Sequence, residues 1–170
     1  KEINMKFFKA STRLKPLLLQ GEIETKTMNV DAHQSLLAIK KVTVEAEVRG
    51  LGDIYEAQVT VDADVVLECA YTLEPIDYHL HFRDVITFSD VETEDEDMMY
   101  VPGNEIELDP FIFGLLMVEI PTKIIKKGAK PPQSGEGYRV LSEKAFLSER
   151  NQKTDPRFDI LDSLDFDEEE

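Results

Sequence analysis

The sequence predicts an α+β fold: an antiparallel β-sheet, open or barrel-like, with one buried helix and further helices towards the C-terminus. Three observations carry this. Apolar residues alternate with polar ones over Val42–Val48 and again over Ala57–Cys69, the period of a half-buried strand. A short apolar stretch between Pro110 and Pro121 has helical spacing. Capping residues then open a polar helical stretch after Ser142. The 170 residues are 42% apolar, which suits one packed domain and excludes a wholly disordered or fibrous chain. The expected division is a single domain over 1–154, with an acidic loop at about 89–105, and a C-terminal helix with an acidic tail over 155–170.

Taken in order, Thr12 to Leu19 is a short helix or an extended segment, because Pro16 interrupts any helical pattern. A weakly apolar strand follows at Gly21 to Met28. Val42 to Cys69 reads as a β-hairpin whose connection is Arg49-Gly-Leu-Gly-Asp53, with two glycines available for positive φ. A third strand runs from Asp77 to Phe88, with Tyr78, Leu80 and Phe82 inward and His79, His81 and Arg83 outward. Ser89 to Tyr100 is too charged to pack and reads as a mobile acidic loop. Asp109-Pro110 has the form of an N-cap and a first-turn proline. Phe111, Leu115 and Val118 then share helical spacing up to Pro121. Gly128 to Gly137 is a flexible connection. Ser142 caps a helix to about Gln152, and Thr154 or Asp155 starts another to about Leu164.

Charge sharpens the picture. Lys plus Arg, 19, against Asp plus Glu, 35, gives a net charge of −16, which argues against a general nucleic-acid binder and against DNA in particular. The excess is local. Between Arg83 and Lys123 there are eleven acids and no Lys or Arg, and Asp155 to Glu170 holds eight acids against Arg157 alone. The remaining chain is near neutral. Such blocks are ordinarily solvated loops and solubilising tails. Their functional alternative is contact with a basic partner, for which Glu92, Glu94, Asp95, Glu96 and Asp97 are the candidates. The basic groups are Lys123, Lys126, Lys127 and Lys130, within eight residues, and Lys1, Lys6, Lys9, Arg13 and Lys15 at the N-terminus; either is a candidate for limited contact with RNA phosphates.

Catalytic motifs are missing: there is no dinucleotide fingerprint, phosphate-binding loop or nucleophile elbow. His79 and His81 share one strand face, but a metal needs further ligands that the sequence does not name, and exposed sheet histidines are the favoured reading. Cys69 is the single thiol and continues an inward face, so a buried structural cysteine is favoured over a reactive one, with no neighbouring cation in sequence to lower its pKa. One cysteine, no signal-peptide core in Lys1–Ala10 and no apolar run near the ~20 residues of a membrane span lead to the expectation of a soluble cytoplasmic protein.

Leu67-Glu-Cys-Ala-Tyr-Thr-Leu-Glu-Pro75 resembles the strand end Cys-x-Arg-Cys-Leu-x-Pro of the YceD family, the large ribosomal RNA subunit accumulation proteins. Cys69, Leu73 and Pro75 match, while Tyr71 replaces the arginine and Thr72 the second cysteine. Any metal or redox role of that cysteine pair therefore does not transfer. Glu105-Ile-Glu-Leu-Asp109, leading through Val118-Glu-Ile-Pro121, is similar to the family's next segment, with Pro121 matching. Asp155-Pro156-Arg157, followed by Ile160-Leu161, resembles its C-terminal motif. The resemblance spans Gly21 to Leu164 and implies a cytoplasmic, bacterial or organellar factor in ribosome biogenesis. Such a factor supports large-subunit ribosomal RNA without catalysis or cofactor, by binding a ribosomal protein, a large-subunit precursor or ribosomal RNA. The alternatives are a thiol- or metal-dependent enzyme acting on RNA or a small molecule, and a structural adaptor.

Overall fold

Alternating Val, Ala and Thr over some thirty residues can bury one side only as a pleated ribbon, and two such ribbons form the centre of the molecule. The computed structural model describes residues 2–26 and 28–152, and the chain divides into two compact units, Lys1–Lys126 and Lys127–Glu170. The first unit contains β1 (Glu2–Ile3), β2 (Lys6–Phe8), β3 (Leu17–Ile23), β4 (Leu36–Leu51), β5 (Ile54–Glu68), β6 (Pro75–Ser89), β7 (Met98–Tyr100), β8 (Glu105–Glu107) and α1 (Asp109–Glu119). The second contains α2 (Glu143–Gln152).

The predicted hairpin is present as β4 and β5, in register from Leu36↔Leu67 to Leu51↔Ile54. Its turn is narrower than Arg49–Asp53: only Gly52 and Asp53 lie between the strands, and Gly52 adopts φ 68°, as the first place of a two-residue hairpin turn requires. Gly50 has a different task. It lies within β4, where an added Cβ would stand 2.7 Å from Thr12 Oγ1. β6 pairs with β5 along its whole length without a register shift, as expected for Asp77–Phe88.

One sheet has the order β1-β3-β4-β5-β6-β7 and stays open, while β2 and β8 form a separate ribbon. The long pairings are antiparallel; β1 with β3 and β6 with β7 are parallel. The fold is thus α+β, with an open sheet instead of a barrel. One face is buried through Val42, Val44 and Val48 of β4 and Tyr55, Val61 and Leu67 of β5, all without exposed surface. Leu80, Phe82 and Phe88 extend this face on β6.

Four expectations are corrected. The strand expected at Gly21–Met28 is β3 and runs Leu17–Ile23. Pro16 fixes the extended backbone just before it, and Leu17, Leu19 and Ile23 pack against the core. Ser89 to Tyr100 is not all loop: Ser89 is buried, and Met98–Tyr100 adds a parallel strand beside Thr87–Ser89. Asp109 does not cap α1. It lies within the helix, and its Oδ1 accepts the Met5 N–H at 3.0 Å. The buried stripe of α1 is Leu108, Ile112, Leu116 and Ile120, at i, i+4 spacing, while Val118 is 82% exposed. Phe111 is half-buried and sets its ring edge-on to Phe88, with centroids 4.9 Å apart.

In the second unit Ser142 does begin α2. Its Oγ accepts the Ala145 N–H at 3.3 Å and its carbonyl the Phe146 N–H at 2.9 Å. Within the expected flexible connection, Gly135 and Tyr138 form an isolated bridge, with Gly137 at φ 84°. Arg139 pairs with Glu149 at 2.7 Å. The expected helix after Thr154 and the acidic tail lie outside the described residues. Among those described, no helix is long and apolar enough to cross a membrane.

Candidate functional site

β5 ends at Glu68, and the next residues fold back at once into β6. Cys69 N–H donates to the Glu74 carbonyl and Leu73 N–H to the Cys69 carbonyl, each at 2.9 Å. This closure is tight enough to force Leu73 to φ 58°, a left-handed conformation uncommon for a side chain of its size. The segment Ile124–Lys126 then lies against the turn. Ala70 N–H donates to the Ile124 carbonyl at 2.8 Å, and Lys126 N–H to Cys69 Sγ at 3.4 Å. Cys69, Leu73 and Pro75 therefore belong to one turn, with Leu73 and Pro75 exposed at its surface and Cys69 beneath it.

The thiol of Cys69 has no exposed surface, the buried position expected for it. The expectation that nothing lowers its pKa needs correction. The Lys126 N–H, the Thr72 hydroxyl and nearby backbone N–H groups stabilise the thiolate, and against the opposing effect of burial they bring the pKa down to about 7. The donors are the N–H of a residue distant in sequence and the turn's own N–H groups and Thr72 hydroxyl, which is why no neighbouring cation announces them. Thr72, where the resembling motif carries its second cysteine, thus reaches the first, but as a hydroxyl. Among the described residues no group of three or more His, Cys, Asp or Glu could hold a metal.

Two of the four candidate lysines belong to this end of the first unit. Lys123 Nζ lies 5.7 Å from the centre of the Tyr71 ring, a cation–π contact. Lys126 pairs with Glu74 at 2.9 Å, which raises the lysine pKa and lowers that of the glutamate. Lys127 and Lys130 are exposed in the second unit. Pro121 is half-buried past the end of α1, and its carbonyl accepts the Ser35 hydroxyl at 3.4 Å. Asp155, Pro156 and Arg157 lie outside the described residues.

The acidic run is different. Glu92, Glu94, Asp95, Glu96 and Asp97 are all exposed. Asp95 Oδ1 accepts the Asp97 N–H at 3.0 Å, and no described cation pairs with any of the five carboxylates. His79 and His81 stand on the open face as expected, each within 2.9 Å of the aspartate across from it, Asp64 and Asp62 respectively.

The sequence reading missed one polar cluster. Lys9 is 4% exposed, a rare state for lysine. Its ammonium pairs with Asp90, donates to the Val101 carbonyl at 2.6 Å and lies 5.5 Å from the Tyr55 ring centre. The Tyr55 hydroxyl donates to Asp90 Oδ2 at 2.9 Å, and Arg13 donates to the same hydroxyl at 3.3 Å. Lys9 foremost, then Tyr55 and Arg13, holds the Asp90 carboxyl below the usual carboxylate range. Lys9 stands in the sequence as one of several N-terminal cations, and the only signal of its burial is its place directly after Phe7-Phe8.

Comparisons with known proteins give the family. The chain is 29% identical over 129 residues to the uncharacterized protein YlbN of Bacillus subtilis (strain 168), an alignment covering 69% of this chain and 72% of that protein. No solved structure matches it. Residues 57–165, most of the chain and all of the Cys69–Pro75 turn, match the family described as large ribosomal RNA subunit accumulation protein YceD, and the chain belongs to that family.

Proposed function

We propose that this protein supports the accumulation of large-subunit ribosomal RNA by binding, without catalysis, in the cytoplasm, and that its direct partner is a basic ribosomal protein or a precursor particle presenting one. The observation that carries this reading is the exposed run Glu92, Glu94, Asp95, Glu96 and Asp97, whose charges no described residue neutralises. Elsewhere Glu22, Glu47, Glu74, Asp77, Asp90 and Glu105 each have a cation within reach, and the run differs in placing five unmatched acids within six positions. Unmatched carboxylates close together make a negative potential that steers a cationic surface and is screened by salt.

Direct RNA contact by the lysines is the weaker reading. Glu74 already compensates Lys126, and Lys123 lies over Tyr71, so fewer than four free cations remain for phosphate. Affinity purification followed by sedimentation tests the proposal. The wild-type chain should travel with large-subunit precursors and detach as salt rises. Changing the five acids to Asn or Gln should release it at physiological salt, and unchanged co-sedimentation of that variant would sink the acidic contact. Charge reversal at Lys123, Lys126, Lys127 and Lys130 should leave co-sedimentation largely intact.

A further inference from the structure

β6 is fifteen residues long, yet among the described residues it is paired on the side away from β5 only at Thr87–Ser89, by β7. From Pro75 to Ile86 no described strand pairs with that side, which is an open edge. In an antiparallel ladder a residue turns its N–H and C=O to the same side, and successive residues alternate. Ser89 gives its carbonyl to Val101 at 3.1 Å, away from β5. Since the β5–β6 register is unbroken, Asp77, His79, His81 and Arg83 also turn their backbone groups to the open edge. The ends of this window are closed. Pro75 has no N–H to offer, and the Val85 N–H is taken by Asp84 Oδ1 at 2.7 Å.

We propose that this edge pairs with the same edge of a second copy of the chain, antiparallel, about a two-fold axis through Leu80. The side chains across that axis are complementary. Asp77 faces Arg83 of the other copy and Arg83 faces its Asp77; Tyr78 faces Phe82, and His79 faces His81, each twice. Arg83 has no ion-pair partner among the described residues, and the Asp77 side chain is 78% exposed even while Lys40 contacts it. Directly opposed unlike charges and aromatic pairs are the contacts that stabilise such a ladder. Moving the axis to His79 or His81 breaks both Asp77–Arg83 pairs, so the register is specified. Charged residues ordinarily protect an edge from other strands; here their order excludes most partners and admits a copy of itself. The ladder stops at Pro75 opposite Val85, where one N–H is absent and the other already satisfied. This contact is separate from the basic-partner reading and stands or falls without it.

Sedimentation equilibrium of the full chain tests it. The wild type should approach twice 19.4 kDa as concentration rises. Arg83→Asp sets like charges against each other and should remain at the single-chain mass, and Asp77→Arg combined with Arg83→Asp should restore the doubled mass. His81→Pro removes an edge-facing N–H without touching β5 and should abolish association by a route independent of charge. Circular dichroism confirms that each variant retains the fold. A wild type that stays at the single-chain mass to its solubility limit overturns the proposal. So does undiminished association of folded Arg83→Asp, or failure of the folded charge swap to restore it.

Discussion

Replacing Asp90 by alanine should be among the most damaging single changes near the surface. The reason lies with Lys9, whose side chain keeps only 5% of its surface exposed and whose ammonium loses its one carboxylate. What remains around it is the Val101 carbonyl at 2.6 Å and the face of Tyr55 at 5.5 Å. The Tyr55 hydroxyl, itself without exposed surface, also loses its acceptor. Removing one member of a buried pair costs ~3–5 kcal/mol, and the 27% exposure of Asp90 places this case at the lower end, about 3 kcal/mol. For a chain of this length that is a fall of about 6–12 °C in Tm. The chain has no tryptophan, so urea unfolding is best followed by far-UV circular dichroism. The decisive comparison adds Lys9→Met. If the penalty is an uncompensated buried charge, the double variant should be more stable than Asp90→Ala alone. A loss under ~0.5 kcal/mol, the range of an ordinary surface substitution, or strictly additive effects would refute the reasoning. Acid has the same target. The folded Asp90 pKa is depressed, so its stabilisation is present above the unfolded value near 3.9 and is lost as pH falls through the lower folded value. Below about pH 4 the wild type should therefore lose its advantage over Asp90→Ala.

Other changes separate equally well. Gly50→Ala drives a methyl to 2.7 Å from Thr12 Oγ1; that hydroxyl is buried and bonded to the Lys9 carbonyl, so urea unfolding should register a loss of ~1–3 kcal/mol. Burial, first among its causes, raises the Asp109 pKa, so its charged form opposes folding at neutral pH, and this cost fades as pH falls through the raised folded value. Asp109→Asn keeps an acceptor for the Met5 N–H and should match or exceed wild-type stability at pH 7, whereas Asp109→Ala should lose ~1–3 kcal/mol; calorimetry of the two variants distinguishes them. Despite a pKa of about 7, Cys69 has no exposed surface, so thiol labelling should be slow until urea unfolds the chain. Rapid labelling of the native protein would contradict that burial.

The parts of the fold that were legible in sequence are those written in nearest-neighbour order. The alternation over Ala57–Cys69 identifies a strand with one buried side, and His79 and His81 are outward because Leu80 and Phe82 are not. Pro110, Pro121 and Ser142 punctuate helices as their chemistry requires. What escaped depends on contacts between distant residues. β2 and β8 are three residues each, too short to show a period, and exist because they pair with one another. Lys9 reads as a surface lysine until Asp90 arrives from 81 positions away. The turn at Cys69 was visible as a motif, but the hydrogen bonds to its sulfur were not, since Lys126 lies 57 residues on. The acidic run was visible as charge alone, and whether a lysine answers it is a matter of tertiary structure.

The N-terminal segment is held by groups that the ribosome makes much later. Met5 bonds to Asp109, Phe7 pairs with Ile106, and Lys9 pairs with Asp90 and Val101. These residues, made well before their partners, are thus among the last able to settle. The β4–β5 hairpin can form from contiguous chain, but β2 has no strand partner until β8 has emerged. At ~5–20 residues per second, that wait lasts on the order of 5–20 s, during which Phe7, buried in the finished fold, stays uncovered. Closing a loop of roughly a hundred residues is also slow by its contact order. Refolding from urea should therefore show the hairpin sheet first and protection of the Met5 and Lys9 amides in a later phase.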